Sequence, residues 1–165
     1  MGKALATLAP AAVAPSSEAT WAALQEMIPS AAAVDPEAFA TELRSAPLHD
    51  VSWAQCLKAL KSFPAGSSAG TSGLTPEALR LLCFDGSPLS DSLPPFIAKF
   101  VNGQIDQEAR PFLFGARLIA LLKADGRRVR PVACGETFRR LAAKVLASIA
   151  QDEFKDCLIP LGQLA

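Results

Sequence analysis

The sequence predicts a mostly helical α+β fold, and three features carry that prediction. Helix-start signals recur through the first two thirds of the 165-residue chain. An Asp125-Gly126 turn sits between two short apolar runs, and apolar residues resume a helical period from Thr137. Half of the residues are hydrophobic, enough to bury one sizeable core. Pro, Ser, Lys or Asp interrupts every apolar stretch well short of the roughly eighteen residues that would cross a bilayer, so no membrane association is expected.

Residues 1–16 read as a flexible Ala/Pro-rich leader. Pro10 breaks its apolar part and Pro15 would follow any cut after Ala12-Val13-Ala14, which argues against a signal peptide. Residues 17–62 read as a helical N-terminal region. In Asp35-Pro36-Glu37 the Asp can cap free backbone N–H groups, Pro suits the first helical position, and Glu favours the positive end of the helix dipole. Phe39 and Leu43 then give that helix one apolar face, as Trp53, Leu57 and Leu60 do for the next. Pro64 to Gly73, PAGSSAGTSG, has no large apolar residue to anchor it in a core and reads as a loop. Thr75-Pro76-Glu77 opens another helix, with Leu79, Leu82 and Cys83 expected on its inner side. Pro94-Pro95 starts the next, carrying Phe96, Ile97, Phe100 and Val101 toward the core.

After Pro111 the period changes. The runs RLIALLK and RVRPVA flank Asp125-Gly126 and predict a two-stranded hairpin over about 117–133. A two-residue turn sets Lys123 opposite Arg128, Leu122 opposite Val129 and Leu121 opposite Arg130. Lys123, Arg128 and Arg130 then share one face, while Ala120, Leu122 and Val129 share the other, which can pack on a core. Like charges facing each other across a hairpin are destabilising, so Lys123 against Arg128 calls for a counter-charge or a bound polyanion. Pro131 cannot donate to a ladder, which makes the second strand an edge. A basic amphipathic helix follows over about 137–150, with Phe138, Leu141, Ala142, Val145 and Ile149 on its apolar side. Arg140 and Lys144, one turn apart, extend the cationic character, Arg as a bidentate phosphate grip and Lys as a point charge.

Net charge is zero, but residues 117–144 hold eight Lys or Arg against Asp125 and Glu136, a local +6 balanced by −6 elsewhere. Cys56, Cys83, Cys134 and Cys157 are far apart in sequence, with no C-x-x-C pair and one His in the chain, so neither a zinc site nor a disulfide scaffold is expected. Reduced, packed thiols and an intracellular location are the reading. Asp152, Glu153 and Asp156 read as a solvated acidic helix end rather than a metal site.

Residues 116–147, ARLIALLKADGRRVRPVACGETFRRLAAKVLA, resemble the first two blocks of reverse transcriptases of the non-LTR retrotransposon and group II intron kind. In those blocks a strand ending in Lys, a short turn, an Arg-Pro strand, a loop and a basic helix follow one another. Upstream, 63–82 resembles the Gly/Ser-rich block before the fingers, and 158–163 resembles the Leu-Pro-Gln approach to the palm. The resemblance implies that 63–165 is the fingers part of such an enzyme, with Lys123 and Arg130 gripping the triphosphate of an incoming nucleotide. It also implies a template-side loop of Gly66, Ser67, Ser68, Gly70 and Gly73, whose small residues admit close backbone approach. Leu122, Ser72 and Ala165 depart from the pattern, standing where Pro, Asp and Gly are usual. The paired carboxylates that hold two Mg ions would lie beyond residue 165, so no catalytic residue, resident metal or cofactor is expected in this chain.

The expected function is therefore that of an N-terminal fragment of a reverse transcriptase-like protein, with RNA-directed DNA polymerase ancestry. It would bind RNA, DNA or dNTP without polymerising. An interaction module meeting a protein partner through the basic helix and exposed apolar faces is the alternative.

Overall fold

The computed structural model describes residues 12–28, 47–84, 86–123 and 125–158, and in the last helix the side chains of residues 137–151 and 155. Six α-helices and a two-stranded antiparallel sheet make up these residues, the mostly helical α+β fold the sequence predicts. The helices are α1 (Glu18–Met27), α2 (Trp53–Lys61), α3 (Pro76–Leu82), α4 (Leu93–Val101), α5 (Arg110–Leu113) and α6 (Thr137–Leu158). The strands are β1 (Ala116–Leu122) and β2 (Val129–Gly135). The helix expected after Asp35-Pro36-Glu37 lies outside the described residues.

The chain forms two compact units, one of 1–34 with 117–134 and one of 35–116 with 135–165. This differs from the linear division expected, in which 17–62 stood apart from 63–165. Helix α1 belongs with the hairpin, and α2 belongs with the helices that follow, because each buries its apolar side chains there.

In the larger unit, local chemistry sets each helix start. Ser52 caps α2 reciprocally with Gln55: its Oγ accepts from Gln55 N at 3.2 Å and its N–H donates to Gln55 Oε1 at 2.8 Å. Thr75 Oγ1 accepts from Ala78 N at 3.0 Å to start α3. Helix α6 then packs on α2 and α4, burying Leu141, Ala142 and Val145 against Leu60, Cys56 and Ile97. Phe96 of α4 stands edge-on to both Phe100 and Phe138, at 5.3 and 5.2 Å between ring centroids, and so joins α4 to α6. Helix α6 runs past the expected end near 150, to Leu158.

Two side-chain placements in α3 sharpen the sequence reading. Leu79 and Cys83, four residues apart, are both buried, but Leu82 is 54% exposed rather than inward. Cys83 is the C-cap of α3, outside its helical backbone, and takes the buried position there. Cys56 and Cys83 are buried and free, and burial, with Cys83 adding a smaller push, raises the Cys56 thiol to about 11. Both are core fillers.

In the smaller unit, β1 and β2 pair in the expected register. Lys123 N donates to Arg128 O at 2.8 Å. The loop is wider than two residues, since Gly126 N bonds Lys123 O at 2.8 Å and Arg128 N turns to Asp125 Oδ1 at 3.0 Å. Gly126 supplies the positive φ of 65° that this loop needs. Ala120, Val129 and Leu122 face inward onto Leu24 and Ala23 of α1 and onto Ala14. That last contact corrects the flexible reading of the leader at its end. Ala14 N donates to Ala120 O and Leu122 N to Ala12 O, both at 2.8 Å, so residues 12–14 lie along β1. Residues 1–11 lie outside the described residues. Among the described residues no helix is long and apolar enough to cross a membrane.

Leu141, fully buried where α6 meets α2 and α4, is the sharpest test of this core. Leu141→Ala is expected to lower unfolding free energy in urea by about 3 kcal/mol, and a loss under about 1 kcal/mol would show that the cluster is not the core.

Candidate functional site

The hairpin carries the first group of candidate residues. Lys123, Arg128 and Arg130 are all exposed, as the alternation of the strands requires. The counter-charge that Lys123 opposite Arg128 calls for is local. Asp125 Oδ2 pairs with Arg128 Nε at 2.5 Å, and its Oδ1 accepts from the N–H groups of Arg127 and Arg128 at 3.0 Å each. The Arg128 N–H first, then the Arg128 side chain and the Arg127 N–H, hold the Asp125 carboxyl well below the usual carboxylate range. Arg128 is thus already partnered, while Lys123 and Arg130 have no partner among the described residues. Beside the turn, Lys123, Arg127 and Arg128 border an open groove of about 550 Å³, whose apolar wall includes Ala23 and Met27 of α1 and Leu122. Arg127 is a further cation that strand alternation does not flag, because it lies in the loop and belongs to neither face.

The second group lies in the other unit, and its geometry changes the expected roles. Glu136, immediately before α6, is only 3% exposed. Its Oε1 accepts from Thr71 Oγ1 at 2.5 Å and Ser72 N at 2.8 Å, and its Oε2 from Ser72 Oγ at 2.7 Å. Burial is the largest single influence on this carboxyl and pushes its pKa up. The donors from Thr71 and Ser72 together outweigh burial, and the net position is below the ordinary 4.5. Next to it, the wholly buried Thr137 donates through Oγ1 to Leu74 O at 2.5 Å. The Gly/Ser loop is therefore fastened to the start of α6 from both sides of residue 72.

Arg140 and Lys144 complete that fastening. Arg140 Nη1 donates to Ser68 O at 2.6 Å and Lys144 Nζ to Ser62 O at 3.4 Å, and both cations lie over the Phe63 ring, 5.1 and 4.9 Å from its centroid. Both cations are thus directed toward the chain's own backbone at Ser62 and Ser68. Arg139 likewise donates to Phe114 O at 2.8 Å.

The template-side loop is corrected in the same way at one glycine. A Cβ on Gly70 would stand 2.6 Å from Glu136 Oε1 and 2.7 Å from Glu136 Cα, so the missing side chain admits Glu136, not a ligand. Gly66 and Gly73 have positive φ, 73° and 81°, with open space around them, which fits a turning role. Gly66 N also bonds Glu77 Oε1 at 2.6 Å, and Ser67 Oγ bonds Pro64 O at 2.7 Å. Ser68 gives its carbonyl to Arg140. The loop's polar groups are largely spent inside the molecule.

Known proteins add no relative to compare. The chain matches no family model, no curated protein and no solved structure. Among the described residues no group of three His, Cys, Asp or Glu is placed to hold a metal ion, and the side chains of Asp152, Glu153 and Asp156 lie outside them. His49, the lone histidine, is held through its backbone, its N–H to Asn102 Oδ1 at 2.8 Å and its carbonyl to Asn102 Nδ2 at 3.0 Å.

Two expectations follow from the Glu136 contacts. Gly70→Ala forces two backbones apart and is expected to cost about 2 kcal/mol in a urea melt, where a neutral result would show that the loop yields freely. Glu136 has a lowered folded pKa, so its stabilisation is complete above about 4.5 and disappears as pH falls through the folded value. Stability of the parent chain is expected to drop across that acidic window, and Glu136→Gln should flatten the drop. An unchanged acid slope in that variant would remove Glu136 as its source.

Proposed function

We propose that this chain is a reverse transcriptase-like fingers segment that binds single-stranded nucleic acid or nucleotide phosphate through its hairpin. The observation that supports this reading is the pair Lys123 and Arg130. Both are exposed on the face of the hairpin that the core does not use, and neither has a counter-charge among the described residues. A strand pair holds such cations at fixed spacing, and phosphate contacts of this kind supply affinity without reading sequence. The groove beside Lys123 and Arg127 adds an apolar wall against which a base could rest. Arg128 is already paired with Asp125, and Arg140 and Lys144 already contact Ser68 O, Ser62 O and the Phe63 ring, so the reading rests chiefly on Lys123 and Arg130. The proposal is for binding alone; polymerisation in an enzyme of the resembled kind requires the two Mg ions and paired carboxylates of a palm.

A second reading has its own observation. At the end of α3, Leu81 is 82% exposed, Leu82 54% and Phe84 57%, an apolar surface that a protein partner could cover. With Arg140 and Lys144 engaged internally, the interaction-module reading rests on these apolar residues and no longer on the basic helix.

Titration with single-stranded RNA at several salt concentrations separates the two. Affinity is expected to fall with salt, and Lys123→Ala/Arg130→Ala should reduce the log–log slope by roughly 1.4, about 0.7 for each phosphate no longer neutralised. No binding at low salt, together with self-association that RNA leaves unchanged, would overturn the nucleic-acid reading in favour of the module.

A further inference from the structure

Helices α2 and α6 pack against each other within the larger unit, and a groove runs where they meet. Lys58 and Ser62 stand one turn apart at the end of α2, and Lys144, Ser148 and Gln151 follow at helical spacing along one side of α6. These side chains border an open space of about 330 Å³, with Ala59 and Ala147 as its apolar lining. Two cations line the groove and no acidic residue does. Lys144 is held in place, its Nζ donating to Ser62 O at 3.4 Å and lying 4.9 Å from the centroid of the Phe63 ring. A carbonyl and a ring face leave the ammonium charge unneutralised and two of its three donors unspent. Lys58 is exposed and has no ion pair or hydrogen bond among the described residues, and the Ser148 hydroxyl and Gln151 amide have no partner there either. The carbonyl end of α2 attracts cations, but a helix terminus supplies only about half a negative charge. Lys58, Lys61 and Lys144 each bring a full positive charge to it.

We propose that this groove holds the phosphate of a small phosphate monoester. The pair of lysines matches the charge of that group, which carries close to two negative charges above neutral pH, whereas each phosphodiester of a nucleic acid carries one. Lys58 and Lys144 act as point charges on the phosphate oxygens, and the Ser148 hydroxyl and Gln151 amide add neutral donors. The rest of the ligand is compact and not a nucleobase. No aromatic residue lines the groove for a base to stack on, since Phe63 is buried beneath Arg140 and Lys144. The site is independent of the hairpin, both in its residues and in the form of phosphate it takes.

The test uses the full chain and glycerol phosphate at about pH 8, where the monoester is a dianion, followed by amide NMR. Millimolar glycerol phosphate is expected to shift the amide resonances of Ser62, Lys144 and Ser148. Glycerol, which has no charge, and dimethyl phosphate, which has one, should leave them in place. Lys58→Gln, an exposed substitution outside the core, should weaken binding about tenfold with the urea melt unchanged, and Lys58→Arg should retain it. Shifts confined to other residues, an equal response to dimethyl phosphate, unchanged affinity in Lys58→Gln, or single-stranded RNA moving the same three amides would each overturn the proposal. The nucleic-acid reading of the hairpin is tested apart from it, because the salt slope that Lys123→Ala/Arg130→Ala reduces should be intact in Lys58→Gln.

Discussion

A buried carboxylate with every near donor satisfied is the constraint on which the larger unit depends. Glu136 stands at the start of α6 and receives three hydrogen bonds from Thr71 and Ser72. An ionised group removed from water is costly unless it is bonded in this way, so loop and helix start must be placed together or not at all. The other fastenings follow from that registration. Thr137 reaches Leu74 O, Gly70 lies flat against Glu136, and Arg140 and Lys144 arrive over Phe63 one and two turns along. The helix so placed then lays Leu141 and Val145 on α2 and α4. The same constraint gives a physical account of Ser72. An Asp there would set a second carboxylate against Glu136, whereas the Ser hydroxyl donates to it.

The smaller unit works by separating two faces. Ala120, Leu122 and Val129 are used to hold α1 and residues 12–14, and this leaves the opposite face to cations. Asp125 neutralises the one repulsive pair built into the turn, so the hairpin needs no ligand to form. Lys123 and Arg130 lie on that face with no counter-charge among the described residues. Residues 12–14 satisfy part of the β1 edge, through Ala14 N to Ala120 O and Leu122 N to Ala12 O.

Much of this was legible in the sequence where the signal is local. The Thr75-Pro76-Glu77 and Pro94-Pro95 starts, the strand faces about Asp125-Gly126, and the apolar line of α6 follow from caps, turn chemistry and periodicity, which involve residues a few positions apart. What was not legible is long-range. A Glu amid basic residues looks like a stray acid until residues 64 positions earlier are brought to it. Arg140 and Lys144 look solvated until Phe63 lies beneath them. The pairing of residues 12–14 with β1 could not be read from an Ala/Pro-rich stretch, because its hydrogen bonds use backbone groups that any sequence carries. For Gly70, the loop composition showed that side chains were excluded, and only the fold showed that Glu136 excludes them.

The most direct measurement is a double-mutant cycle on the central contact, comparing Ser72→Ala, Glu136→Gln and the pair by urea denaturation. If Glu136 fastens the loop to α6, the two changes should be non-additive, with a coupling of about 1–2 kcal/mol, since both alter the Ser72 Oγ to Glu136 Oε2 contact at a buried site. Additivity within about 0.3 kcal/mol would show that the loop and the helix are held independently, and would contradict the clamp.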